Sequence, residues 1–200
     1  MRTLFYTGQR LLLGLILAVG LSACGEQQKA EINYDPVAFH SEDECHVCGM
    51  VITDFPGPKG EAVGRDGVKK FCSTAEMLGW WLQPENQISD ARLYVHDMGH
   101  SSWEHPDDDY LIDATKAWYV LGTPLAGAMG ASLASFAEEQ PARELAARYN
   151  GRVVQFADID QHLLQQAAAS QHAPGHESLH EDHTDHGDQA AHDHDVEHQH

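Results

Sequence analysis

The chain has 200 residues, with 31 acidic against 12 basic side chains and a formal net charge of −19 at pH 7. A negative charge of this size repels nucleic acids and anionic lipid surfaces, which argues against a protein that binds either of them through a basic surface. Cation handling or simple solubility fits the composition better.

The first 23 residues have the pattern of a lipoprotein export leader. Arg2 and Arg10 give a positively charged start, and the apolar run from Leu11 to Leu21 is too short to span a bilayer comfortably. Small residues then precede Cys24, as in bacterial lipoproteins, where that cysteine is lipidated and becomes the mature N-terminus. An ordinary secretory leader with a chance cysteine is the alternative. Removal of the leader's two arginines takes the net charge from −19 to −21.

A lipidated Cys24 predicts a protein that is anchored to a membrane and does not span it, because a multiply acylated terminus holds stably. Residues 24–33 then form a polar tether. By resemblance to other lipoproteins, Gly25 stands where an aspartate is associated with inner-membrane retention. The outer membrane is therefore slightly favoured over the inner one for this periplasm-facing protein.

Residues 34–105 are predicted to form a small ββαβ unit. Asp66-Gly67 indicates a hairpin turn, and Ser73 followed by Glu76 is a capping box that starts a helix. Pro84 ends that helix. The predicted strands cover residues 51–53, 61–64, 68–71 and 91–96, and the predicted helix runs to residue 83.

Residues 106–160 repeat this order and predict a second ββαβ unit. Pro141 suits the first turn of a helix that runs to Tyr149, and Asn150-Gly151 closes it. Residues 133–136 are ambiguous between strand and helix. The predicted strands cover residues 111–113, 117–121 and 152–156, with a turn at 127–130. The fold class is therefore α+β, with two similar units.

Residues 161–200 are predicted to be a disordered tail rich in His, Asp and Glu. Its last thirty residues hold nine histidines and eight acids and hardly an apolar side chain, so they cannot bury a core. Neutral imidazoles could bind Cu(II), Ni(II) or Zn(II) there, although a solvated tail that binds metal incidentally is an equally simple interpretation.

Sulfur ligands are concentrated in one short stretch. Cys45, Cys48 and Met50 lie on one turn, and thiolate and thioether groups select Cu(I) over harder ions. Met98 follows a predicted strand, and Met129 lies in a glycine-rich turn, where a methionine has little core to fill. With Cys24 lipidated, three cysteines remain in an exported chain, so at least one thiol should be free, transiently paired or metal-bound.

Other uses of these cysteines stay open. Cys45 and Cys48 could form a disulfide or the redox pair of a thiol–disulfide oxidoreductase, but Gly-Met-Val-Ile after them starts no convincing helix. Structural zinc would need a second Cys-x-x-Cys, or would have to borrow Cys72 or a histidine. Cys72 itself is predicted to be a small buried side chain, with a thiolate near a helix N-terminus as the alternative. No catalytic constellation is present, so the protein is not expected to be an enzyme.

Several motifs together closely resemble the NosL family, the copper-chaperone lipoproteins linked to nitrous oxide reductase assembly. The resemblance covers roughly residues 24–160 and leaves the histidine-rich tail outside. Its motifs follow the lipoprotein signal and are Cys-His-Val-Cys-Gly-Met at 45–50, Asp-Phe-Pro-Gly-Pro-Lys at 54–59, Phe-Cys-Ser-Thr at 71–74, Tyr-Val-His-Asp-Met at 94–98 and Gly-Ala-Met-Gly at 127–130.

The resemblance implies a Cu(I)-binding accessory protein with two similar ββαβ units. It would pass copper to an ABC-type Nos transporter complex and its periplasmic partner, for the copper–sulfide centre of nitrous oxide reductase. It also implies Cys48 and Met50 as the first ligands and Met129 as the third, with Cys45 as a weaker candidate and Met98 and a histidine as reserves. A divalent-metal buffer that works through the histidine tail is a third possibility.

Overall fold

The computed structural model describes residues 32–171. The predicted leader, the lipidation site Cys24, most of the tether and residues 172–200 lie outside this range. Among residues 32–171, no helix is long and apolar enough to cross a membrane.

The first unit is an antiparallel sheet with two consecutive helices, one of them short, between its second and third strands. Its elements are β1 (Gly60–Gly64), β2 (Gly67–Phe71), helix α1 (Thr74–Trp81), the short helix α2 (Pro84–Gln87), β3 (Arg92–His96) and β4 (Leu111–Asp113). The strand order is β2-β1-β3-β4. Gly67 at φ 104° makes the turn between β1 and β2 possible. The hydroxyl of Ser73 caps α1 by accepting the N–H of Glu76 at 3.1 Å.

The second unit repeats the first. It consists of β5 (Trp118–Leu121), β8 (Ala134–Phe136), helix α3 (Glu139–Tyr149) and β9 (Arg152–Gln155), with strand order β8-β5-β9. A two-stranded hairpin of β6 (Ala126–Gly127) and β7 (Gly130–Ala131) is inserted before β8. Asn150 ends α3 in the left-handed region at φ 54°. The α+β class is confirmed, and both units place the third strand of the ββαβ order beside the first.

Three predicted boundaries differ from the structure. Val51 forms a single bridge with Glu44, and Ile52–Asp54 is a 3-10 turn where a strand was predicted. Strand β4 was assigned to the second unit but pairs with β3, because β3 offers a free edge that the local pattern cannot reveal. Residues 161–171, predicted to belong to the disordered tail, form helix α4 (Gln161–Gln171), and its Leu163 is buried in the core.

The two units share one body. A large apolar cluster joins α1, the first sheet, the cysteine-bearing segment and parts of β5 and α4, and a smaller cluster lies under α3. At the junction, the N–H of Met98 donates to the carbonyl of Ser135 at 2.8 Å, and the Ser135 hydroxyl donates to the carbonyl of His96 at 2.7 Å. These bonds and the shared apolar cluster join the end of β3 in the first unit to β8 in the second.

An N-terminal strap, residues 34–40, crosses the first unit ahead of the cysteines. The N–H of Val37 donates to Glu61 at 2.8 Å, and the N–H of Phe39 donates to Asp108 at 2.7 Å. Lys70 donates to the carbonyl of Ala38 at 2.6 Å. The strap therefore fixes the direction from which the chain enters the cysteine turn.

Candidate metal centre

The cysteine-bearing segment is a closed turn. The N–H of Cys45 donates to the carbonyl of Met50 at 2.8 Å, and the N–H of Gly49 returns to the carbonyl of Cys45 at 2.9 Å. Gly49 is at φ 72°, a conformation that strains most other residues. The N–H of His46 also donates to the carbonyl of Lys70 in β2. This bond holds the turn against β2 at Lys70, which lies two residues before Cys72.

The turn brings three thiols together. The sulfurs of Cys45, Cys48 and Cys72 all lie within 4.8 Å of one another, and those of Cys48 and Cys72 are 3.6 Å apart. Cys45 and Cys72 are buried, whereas Cys48 is partly exposed. All three are free thiols. The group is therefore an arrangement of soft ligands with one member accessible from solvent.

The electrostatics of the thiols differ. Burial opposes ionisation of Cys45. Backbone N–H groups of Cys48, Cys72 and Val47 stabilise its thiolate by hydrogen bonding, and the net result is a pKa of Cys45 below the usual thiol value. Burial raises the pKa of Cys72, and the neighbouring Cys45 and Cys48 raise it further. Cys45 therefore ionises more readily than Cys72 in the absence of a metal.

Lys59 is a buried cation on which Cys72 has an electrostatic influence. Its Nζ donates to the carbonyls of Phe55 at 2.6 Å and Pro56 at 3.1 Å. Burial lowers the pKa of Lys59 to about 8, and the interaction with Cys72 opposes this lowering. A positive charge that interacts with Cys72 offsets part of the cost of ionising this buried thiol, although burial still keeps the pKa of Cys72 raised.

The predicted methionine ligands fall into two environments. Met50 is partly buried and packs against the same apolar cluster as Cys48. Met129 lies in the β6–β7 turn with 53 % of its surface exposed, and its neighbour Ala128 packs against that same cluster. The second unit thus presents an exposed thioether in a turn whose neighbouring residue, Ala128, packs against the core that carries the thiols.

Met98 lies elsewhere. It packs against the smaller cluster under α3 and lines a cleft of about 350 Å³ with Trp103, Phe136 and Leu145. The structure therefore brings Cys45, Cys48 and Met50 together and separates Met98 from the thiols into the other core.

The nearby histidines have other partners. His96 is buried, accepts the N–H of Lys59 at Nδ1 and places Nε2 2.9 Å from Asp108. Burial lowers the pKa of His96, so the neutral ring is favoured. His46 is exposed and contacts the rings of Phe71 and Trp80 edge-on.

Cys72 is buried, as predicted, and its thiol joins those of Cys45 and Cys48, although the predicted Cu(I) ligands do not include it. Its position at the end of β2 and just before the N-cap of α1 places its sulfur against the cysteine turn. The odd number of exported cysteines was the one indication in the sequence that a third thiol belongs with the other two.

Comparison with known proteins agrees with this architecture. Residues 36–164 match the NosL family model. The chain is 64 % identical to the copper-binding lipoprotein NosL of Stutzerimonas stutzeri, over 88 % of this chain and 93 % of that protein. It is 32 % identical to the protein of the same name from Achromobacter cycloclastes, over 70 % of this chain and 74 % of that protein.

A solved structure has the same fold. The crystal structure of the copper chaperone NosL from Shewanella denitrificans superposes with a TM-score of 0.62 at 40 % identity, covering 65 % of this chain and 98 % of that one. The family model spans both ββαβ units, the three thiols and the hairpin that carries Met129. The chain therefore belongs to the NosL family.

Proposed function

We propose that this protein is a Cu(I)-binding metallochaperone, anchored by lipid at Cys24, that delivers copper for the copper–sulfide centre of nitrous oxide reductase. The observation that carries the proposal is the group of three thiols within 4.8 Å of one another, one of them partly exposed. The relatives named copper-binding lipoprotein and copper chaperone support it.

The delivering site would use Cys48, Met50 and Met129. A thiolate and two thioethers form a soft ligand set that favours Cu(I) over Zn(II) or Mg(II). Cys48 is partly exposed and Met129 is 53 % exposed, so an acceptor's ligand could reach the metal. Transfer would proceed by ligand exchange, in which copper stays Cu(I) and no electron moves.

The proposed partners are an ABC-type Nos transporter complex and nitrous oxide reductase on the periplasmic side of a membrane. The outer membrane is slightly favoured as the anchor site from the residue after Cys24. The strongly acidic chain makes nucleic acid an unsuitable partner. A protein that transfers a metal by ligand exchange needs no catalytic residue, so no enzyme activity is proposed.

The test is an anaerobic Cu(I) titration against a competing chelator, on the full chain and on a chain that ends at Gln171, where the described fold ends. Cys48→Ala, Met50→Ala and Met129→Ala should each weaken tight one-to-one binding. Met98→Leu is the matched control, because Met98 packs in the other core, and it should leave the affinity unchanged. Unchanged affinity in Met129→Ala would remove the site shared between the units.

The same proteins separate the alternatives. Dithiol–disulfide exchange activity without copper affinity would favour a thiol oxidoreductase that uses Cys45 and Cys48. Loss of Cu(I) binding on removal of residues 172–200 would favour a metal buffer that works through the histidine tail. Delivery itself is tested in cells that lack this protein, from which nitrous oxide reductase should be isolated with its copper–sulfide centre depleted.

A further inference from the structure

We propose that the C-terminal segment, residues 172–200, docks back onto the second unit of its own chain. Leu179 enters the cleft of about 350 Å³ beside α3, and the carboxylates next to it pair with Arg148 and Arg152. This surface is separate from the candidate metal centre, and the inference does not rest on the proposed function.

The cleft beside α3 has the lining of a site for an apolar side chain. Met98, Trp103, Leu125, Leu145 and Tyr149 line it, and each keeps part of its surface exposed. Binding sites are typically concave, about 300–1,000 Å³ in volume and mostly apolar, with a few polar groups at fixed places. A leucine side chain has the size and the polarity that this lining favours.

Two arginines at this surface have no acidic partner. Arg148 lines the cleft itself, and Arg152 lines a groove of about 200 Å³ between β9 and α4. Both are exposed, and neither forms an ion pair within residues 32–171. Glu144 also lines the cleft, but its carboxylate accepts a hydrogen bond from Gln140 at 3.0 Å. The unpaired guanidinium groups therefore attract carboxylates from outside the described fold.

Helix α4 brings the C-terminal segment to this surface. Ala167, near the end of α4, lines the groove together with Asn150. Gln171 lies about 6 Å further along the helix, and Arg148 lies two residues before Asn150. The eight residues from Gln171 to Leu179 can span about 26 Å when extended. This length is enough to cross the groove and reach the cleft, because packed elements lie about 10 Å apart.

The composition of the C-terminal segment complements the surface. Residues 172–200 hold eight acidic side chains and no lysine or arginine. Leu179 and Val196 are their only branched aliphatic side chains, and Leu179 is the one closer to α4. Glu181 and Asp182 follow Leu179 directly enough to meet the arginines when the leucine is in the cleft. Leu179 is therefore the anchor of the docked segment.

Docking in the cleft bears on the hairpin that carries Met129. The indole N–H of Trp103 donates to the carbonyl of Ala126 in β6 at 2.9 Å, and Trp103 also forms a wall of the cleft. A side chain in the cleft thus packs against a residue that is bonded to this hairpin. The docked segment also holds His180, the neighbour of Leu179, at the surface of the second unit.

The test is a nitrogen–proton NMR comparison of full chains, kept reduced and with a chelator present so that no metal is bound. Leu179→Asp should move the signals of Trp103, Arg148 and Tyr149 relative to the parent protein. The loss of a buried leucine lowers the ratio of docked to free segment by at least about tenfold. The signal of Val68 in β2, which belongs to the first unit, should not move.

Two matched controls locate the contact. Val196→Asp places the same charge on the same segment away from the anchor, and it should leave the three cleft signals unchanged. From the other side of the contact, Arg148→Ala should move the signal of Leu179. Arg143→Ala should not move it, because Arg143 already pairs with Glu139.

Two results would overturn the proposal. Coincident signals of Trp103, Arg148 and Tyr149 in the parent and in Leu179→Asp would show that this segment does not occupy the cleft, which then remains for a separate partner. Signal differences that grow with protein concentration would show that the segment of a second copy fills the cleft. Differences that persist on dilution and shrink as salt screens the arginines would support docking within one chain.

Discussion

Replacing Glu61 with Gln should change how the stability of this protein depends on pH. Glu61 lies in β1 and is 0 % exposed. One carboxylate oxygen accepts the N–H of Val37 in the strap at 2.8 Å. The other is buried without a hydrogen-bond partner among the described residues. Burial therefore disfavours the carboxylate and raises the pKa of Glu61 from 4.5 to about 7.

Proton binding at Glu61 determines whether the stability of the protein rises or falls with pH. Between pH 4.5 and about 7 the folded state holds a proton at Glu61 that the unfolded state has lost. The stability linked to this proton is fully present below pH 4.5 and is lost as the pH rises through about 7. At about 1.4 kcal/mol per pH unit, the whole difference is about 3 kcal/mol, of which about 2.5 kcal/mol falls between pH 5 and pH 8.

Glu61→Gln keeps the shape of the side chain and removes its titration. Urea unfolding of both proteins at pH 5, 6, 7 and 8 should show the stability of Glu61→Gln relative to the parent rising by about 2–3 kcal/mol over this range. Glu85→Gln, the same chemical change at an exposed position, is the control. Parallel pH profiles for Glu61→Gln and the parent protein would refute the reasoning, because Glu61 would then not bind its proton more tightly in the folded state.

Three further predictions concern stability and charge at the site. Ser73→Ala removes the cap that accepts the N–H of Glu76 and should destabilise the protein by about 1 kcal/mol in urea unfolding; an unchanged midpoint would contradict this. Gly151→Ala should cost about 1–3 kcal/mol, because the added Cβ would stand 2.6 Å from the backbone oxygen of Leu121. Gly79→Ala, whose Cβ meets nothing closer than 3.9 Å in α1, should instead stabilise by about 0.5–1 kcal/mol, and equal effects of the two glycine variants would refute the steric argument. Lys59→Met should weaken soft-metal binding by about tenfold in chelator competition because the buried counter-charge is lost, whereas the exposed Lys116→Met should leave it unchanged.

Local patterns in the sequence predicted most of the regular structure. Asp66-Gly67 placed the turn between β1 and β2, and Ser73 with Glu76 placed the start of α1. Both patterns work because turn and cap energies come from residues within four positions of one another. The repeated ββαβ order followed from the same short-range preferences.

Contacts between distant residues were decided only by tertiary structure. Strand β4 is too short to reveal its partner and joined the first sheet because β3 had an unpaired edge. Met98 resembles a ligand by its neighbours in sequence, yet the bond from its N–H to Ser135 holds it in the other core.

The candidate metal centre shows the same division between what the sequence and what the tertiary structure determined. The sequence by itself determined a turn with two thiols and a thioether, because Cys45, Cys48 and Met50 lie within six residues. Only the tertiary structure added Cys72, since its sulfur reaches the turn through the pairing of β2 with β1 and the bond from His46 to Lys70. A candidate ligand that strand pairing brings to the site is not marked by any regular spacing in the sequence. Candidate ligands on one turn can be recognised because only a few residues separate them.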